Sequence, residues 1–80
     1  MSNKEIYNNA FMDAFGVEEE ALNGEFTSEN VPSWDSMRKL NLLNMLEDEF
    51  NIMLNTSEML EFSSYEKGKE ILAKHNIVIE

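Results

Sequence analysis

The stretch Val31-Pro32-Ser33-Trp34-Asp35-Ser36-Met37-Arg38-Lys39-Leu40-Asn41-Leu42-Leu43 decides how the chain folds, because it runs from a proline-led turn straight into apolar residues at helical spacing. Pro32 disfavours helical backbone at Val31 and holds it extended. Beyond the turn, Met37, Leu40, Leu43, Leu46 and Phe50 recur at steps of three and four, with Leu42 and Met45 widening the stripe. That is the period of an amphipathic helix. The pattern predicts a helix that opens at Asp35-Ser36, turns Met37 and Leu40 inward and ends near Asn51. Asp35 suits the N-cap, since its carboxylate accepts from first-turn N–H groups and its charge favours the positive helix end. Ser36 then takes the first helical position, where capping has no need of its hydroxyl. The oxygen is left in solvent beside unpaired N–H donors, a setting that favours an anion. Two readings stand open: Ser36 simply begins a helix, or something is attached to it.

Working outward, Ser2 and Glu5 form the pattern of a capping box ahead of Ile6, Tyr7, Ala10, Phe11, Ala14 and Phe15, again at helical steps. Gly16 follows at the place where a left-handed residue ends a helix. Residues 17–35 lose the period, through Glu18-Glu19-Glu20, Asn23-Gly24 and Thr27-Ser28. A loop this long is uncommon in a compact domain unless it is functional or disordered. Val17, Leu22, Phe26, Val31 and Trp34 are spaced along it, so it is expected to be pinned to the core. After the main helix, Asn55 with Glu58 reads as a cap for one short turn through Met59, Leu60 and Phe62. Ser63 with Glu66 reads as a further capping box for a last helix that buries Tyr65, Ile71 and Leu72, and Ile77, Val78 and Ile79 close the chain as an apolar tail. The expected fold is a single all-α domain, residues 1–80: a bundle of three main helices and one short one, with a long loop between the first two.

A chain of 80 residues buries only about 60% of the surface it exposes when unfolded. It has room for one core but little for an enclosed catalytic cleft, since ligand pockets start near roughly 300 Å³. Sixteen acidic residues against six basic ones give a formal net charge of -10. That surface repels nucleic acid and suits basic patches on partner proteins. With no cysteine, neither a disulfide nor a thiolate zinc site can staple the fold. No apolar run reaches the roughly 18 residues of a membrane span, and the polar opening Met1-Ser2-Asn3-Lys4-Glu5 does not read as a signal peptide. A cytoplasmic monomer is the expectation.

The run Asp35-Ser36-Met37, followed by the amphipathic stretch ending Leu46-Glu47-Asp48-Glu49-Phe50, resembles the Asp-Ser-Leu motif and second helix of the acyl carrier protein family. The resemblance extends over nearly the whole chain, from a first helix ending Phe15-Gly16-Val17, through the long loop, to a short third helix around residues 56–62 and a last helix opened by Ser63-Ser64. It implies an acyl-carrier-like bundle and a non-catalytic carrier. By this resemblance Ser36 takes a 4'-phosphopantetheine arm from coenzyme A, with Asp35 and Met37 flanking the attachment. It also implies the partners: a phosphopantetheinyl transferase, ligases that load acyl or aminoacyl groups as thioesters, and the synthases that use them. Two features depart from the family. Arg38 and Lys39 stand where carriers of fatty acid synthesis usually have acidic residues, and Met37 stands where leucine is usual. The alternative from a different class is an unmodified acidic helical module that binds other proteins.

Several other residues invite a role. His75 is the only histidine, but a hydrolytic Ser36-His75-Asp35 triad needs the base within reach of its nucleophile, and His75 falls near the far end of the last helix, where the helix C-terminus or solvent is its expected neighbour. Glu18-Glu19-Glu20 and Glu47-Asp48-Glu49 lack the spaced oxygens and glycine of a calcium loop. Met37, Met45, Met53 and Met59 would suit a deformable cleft, although ordinary core packing is the favoured account of them. Gly68 inside the last helix costs about 1 kcal/mol against alanine, which close helix approach would offset. The charge imbalance carries a direct consequence: the melting temperature rises as sodium chloride or magnesium is added, because screening relieves self-repulsion. A thermal melt series that is flat or falling with salt contradicts this.

Overall fold

The computed structural model describes residues 2–79; Met1, the first residue of the polar opening, lies outside them. Four α-helices follow one another: α1, Asn3–Phe15; α2, Ser36–Phe50; α3, Thr56–Glu61; and α4, Tyr65–Ala73. The architecture is the expected one, three main helices and a short one with a long loop between α1 and α2, and a single 3₁₀ turn, Glu19–Ala21, marks the start of that loop. Among the described residues no helix is long and apolar enough to cross a membrane.

Each helix begins where its local chemistry says it should. Ser2 and Glu5 exchange bonds in a capping box, and so do Asn55 and Glu58. Gly16 and Asn51 end α1 and α2 in the left-handed conformation, at φ 65° and 54°. The start of α4 differs from expectation. Ser64, not Ser63, is its cap, and its hydroxyl accepts from Lys67 N at 2.9 Å. The shift has a cause in the loop: Ser28 N donates to the Ser63 carbonyl at 2.9 Å, and Tyr65 N donates to the Phe26 carbonyl at 2.9 Å. Those bonds, around an isolated bridge between Thr27 and Ser64, hold residues 63–64 extended, so the helix starts one residue later.

The same bonds pin the loop. Phe26 is buried, and Val17, Leu22, Val31 and Trp34 pack against the core, as their spacing predicts. The core is aromatic at its centre. Phe11 is fully buried and its ring lies between 5.0 and 6.3 Å from those of Tyr7, Phe15, Phe26, Trp34, Phe62 and Tyr65. Polar atoms within it are paired. The Tyr7 hydroxyl donates to the Tyr65 carbonyl at 2.6 Å, and the Tyr65 hydroxyl donates to Asn8 Oδ1, whose amide in turn donates to Glu19 Oε2 at 3.2 Å. Burial raises the Tyr7 phenol above its ordinary range, which keeps it a neutral donor.

The inward face of α2 is where the sequence pattern and the structure part. Leu42, Leu43 and Leu46 are buried, but Met37 is 77% exposed and Leu40 54%. The face of α2 that meets α1 includes Arg38, whose Nη1 donates to the Ala14 carbonyl at 3.4 Å. Steps of three drift around the helix by about 60° each, so Met37 lies nearly opposite the buried Leu46 and Leu40 is also turned away from the core. Met37 and Leu40 therefore do not anchor the helix entry; Trp34 does, with its ring 4.9 Å from that of Phe15.

Gly68 is buried in α4, and a Cβ there would collide with the Tyr7 hydroxyl and the Phe62 ring. Close approach is thus the reason for the glycine. Gly68→Ala gains about 1 kcal/mol of helix propensity but overpacks a rigid site and disturbs the Tyr7 bond. A net loss of about 1–3 kcal/mol is expected, seen in urea denaturation as a lower midpoint at unchanged slope.

Candidate functional site

Ser36 is the first residue of α2 and is exposed. Its geometry follows from the residue before it. Asp35 adopts an extended conformation, φ -115° and ψ 177°, and its Oδ1 accepts from Arg38 N at 2.8 Å. The carboxylate therefore does the capping, and the Ser36 hydroxyl makes no hydrogen bond among the described residues. The backbone N–H groups of Ser36 and Met37 likewise find no protein acceptor there; Arg38 N is taken by the Asp35 side chain, and Lys39 N donates to the Asp35 carbonyl at 3.0 Å. Upstream, Trp34 N donates to Val31 O at 3.0 Å and Asp35 N to Ser33 O at 2.9 Å, so the approach to the helix is a fixed turn.

The electrostatics around this oxygen favour an anion. Two first-turn N–H donors are unclaimed, the positive end of the α2 dipole points here, and Arg38 and Lys39 add two cations. Burial lowers the Lys39 ammonium from its ordinary value. The Asp35 carboxylate beside Ser36 is occupied with the cap, and its Oδ2 lies 3.9 Å from Arg38 Nε. An esterified phosphate on Ser36 Oγ fits this donor set: an accessible hydroxyl, free N–H groups and local positive charge. Met37 stands beside it as an exposed apolar side chain, not as part of the core.

His75 is brought to a different partner. Its Nε2 lies 3.0 Å from both carboxylate oxygens of Glu58, which ties the tail after α4 to the start of α3. The Asn55 backbone N–H, donating to Glu58, holds that carboxyl below the usual carboxylate range, and His75 reinforces the effect. The expectation of the helix C-terminus or solvent for His75 is therefore corrected. Glu58 is already marked in the sequence as a capping residue, but nothing in linear spacing joins positions 58 and 75. Ser36 shares no bond with His75, so no triad is assembled.

The methionines do not gather into one cleft. Met53 is 85% exposed and Met37 is on the surface, while Met45 and Met59 are partly buried. Among the described residues no group of three potential ligands is arranged to hold a metal ion. No protein-family model matches the sequence, and no curated protein matches it either.

The division of labour between Asp35 and Ser36 is open to direct measurement. Asp35→Ala should cost about 1 kcal/mol of stability through loss of the cap, whereas Ser36→Ala should fall within about 0.5 kcal/mol of wild type. Equal losses in chemical denaturation would make Ser36 part of the cap.

Proposed function

We propose that the chain is a carrier protein and that Ser36 is the attachment point of a 4'-phosphopantetheine arm. One observation carries this reading: at the entry to α2 the serine hydroxyl is exposed and unbonded while Asp35 does the capping. The likeness of the Asp35-Ser36-Met37 run and of the helix order to the acyl carrier protein family supports it. In the modification, Ser36 Oγ displaces adenosine 3',5'-bisphosphate from coenzyme A; the new phosphodiester bond forms as the pyrophosphate bond breaks, and the hydroxyl proton is given up. A separate transferase catalyses that exchange. The bound arm supplies the thiol that this cysteine-free chain lacks, on which acyl or aminoacyl cargo is held as a thioester.

The chain's own residues have static tasks. Asp35 fixes the helix start without occupying the serine. The N–H groups of Ser36 and Met37, with Arg38 and Lys39 beside them, stabilise the phosphodiester charge. Trp34 clamps the turn to the core, so the attachment point is rigid and the tether beyond it is free. Met37 and Leu40 offer apolar surface to the enzymes that modify and load the arm. No group of the chain acts as a catalyst in this reading; a flexible tether instead raises the effective concentration of cargo at each partner's active site. The partners are the transferase, a loading ligase and the synthases that draw on the cargo, in the cytoplasm.

Incubation with coenzyme A and a broad-specificity phosphopantetheinyl transferase, followed by intact-mass measurement, tests the proposal. One arm is added to wild type and none to Ser36→Ala. The modified protein should also melt higher, by the equivalent of about 0.3–1 kcal/mol, because an anion at the helix N-terminus complements the dipole. Failure of several transferases to modify wild type leaves the unmodified interaction module in its place.

A further inference from the structure

The side chain directly after the attachment oxygen is a thioether. Met37 is exposed on the outward face of α2 with Leu40, whereas Met12, Met45 and Met59 are partly buried. An aliphatic residue such as leucine would give the same apolar surface. Methionine differs from it in one chemical respect: its sulfur takes an oxygen atom from a peroxide and can later be reduced again.

That exchange changes what surrounds Ser36. The Met37 sulfur gives an electron pair to the hydroperoxide, an S–O bond forms as the O–O bond breaks, and the rest of the peroxide leaves as water. A flexible apolar side chain becomes a polar one with an acceptor oxygen. The new acceptor arises in a first turn where the N–H groups of Ser36 and Met37 have no protein acceptor among the described residues, with Arg38 and Lys39 beside them. These are the donors that would hold the phosphodiester. An enzyme that covers this turn would also meet a polar group in place of an apolar one, and burying a polar group without a partner is costly.

We propose that Met37 is a reversible oxidation site that governs the use of Ser36: the thioether admits the enzymes that modify and load the arm, and the sulfoxide turns them away. Oxidation of Met37 follows from its exposure; its effect on Ser36 rests on the carrier reading. Met53 supplies a comparison within the same chain. It is exposed as well, but it lies beyond the far end of α2, a helix of 15 residues and so roughly 22 Å long. Oxidation there leaves the Ser36 turn unchanged.

The test treats the full chain briefly with dilute hydrogen peroxide, removes the peroxide, and then supplies coenzyme A and the broad-specificity transferase. Peptide mass mapping should find oxygen on Met37 and Met53 ahead of Met12, Met45 and Met59. The kcat/KM for arm transfer should fall about five-fold or more, and reduction by both methionine sulfoxide reductases, one for each epimer, should restore it. Met53→Leu should show the same fall, and Met37→Leu should show none relative to its own untreated rate. Met37→Gln places a permanent polar side chain in the turn and should be slow without peroxide, so it reports on the turn even where oxidation elsewhere disturbs the fold. Equal rates for treated and untreated wild type, a fall that persists in Met37→Leu, or undiminished transfer to Met37→Gln would each overturn the assignment while leaving Ser36 as the attachment point. No transfer to untreated wild type would instead remove the carrier reading, and the control of Ser36 with it.

Discussion

The fold depends on one ring. Phe11 sits on α1 with no exposure, surrounded by aromatic side chains from α1 itself, the long loop, the end of α3 and the start of α4. Removing a buried ring of this kind costs about 3–5 kcal/mol in other proteins, against a total of roughly 5–15 kcal/mol for a domain. With no cysteine to cross-link it, an 80-residue chain has few other reserves. The cluster also explains why a long loop is ordered. Phe26 and Trp34 are its anchors in the core, 5.9 Å apart, and between them the backbone needs only local turns. Trp34 immediately precedes the cap of α2, so the packing at Phe11 and Phe15 is what fixes the position of Ser36 in space.

Much of this was legible from residue order alone, for a physical reason: caps are local. Ser2 with Glu5, Asn55 with Glu58, Gly16 and Asp35 act within three or four residues, and each stands where its chemistry places it. Anchors in a loop are nearly as readable, because an apolar residue among polar ones has little alternative to burial. Gly68 was readable as a conflict with helix propensity, although only the fold supplies its neighbours, Tyr7 and Phe62.

What the sequence left open was set by partners far along the chain. Steps of three drift around a helix by about 60° each, so a run that reads as one stripe carries Met37 to the face opposite Leu46, and tertiary packing decides which part of the run is buried. Ser63 and Ser64 are equally good caps in isolation; the bonds from Ser28 N to the Ser63 carbonyl and from Tyr65 N to the Phe26 carbonyl choose between them. His75 and Glu58 meet in the folded chain although 17 residues separate them, a spacing no local pattern reads. At the candidate site the same division holds. The capping role of Asp35 is local and was read correctly, whereas the exposure of Met37 beside Ser36 depends on tertiary packing.

α2 carries its charges against its own dipole, and this links its two ends. Arg38 and Lys39 occupy the first turn, where acids would stabilise, and Glu47, Asp48 and Glu49 occupy the last, where bases would. Only part of this is offset within the chain: Asp35 caps the first turn, and Glu47 Oε2 accepts from Leu54 N at 2.9 Å. A helix held chiefly by Leu42, Leu43 and Leu46 can tolerate such a reversal because burial of three leucines outweighs terms of a few tenths of a kcal/mol to about 1 kcal/mol each. The reversal leaves a field that neither end of the helix fully satisfies, positive beside the free Ser36 hydroxyl and negative at Asp48 and Glu49, so the stability of α2 rests on its buried leucines rather than on its charges.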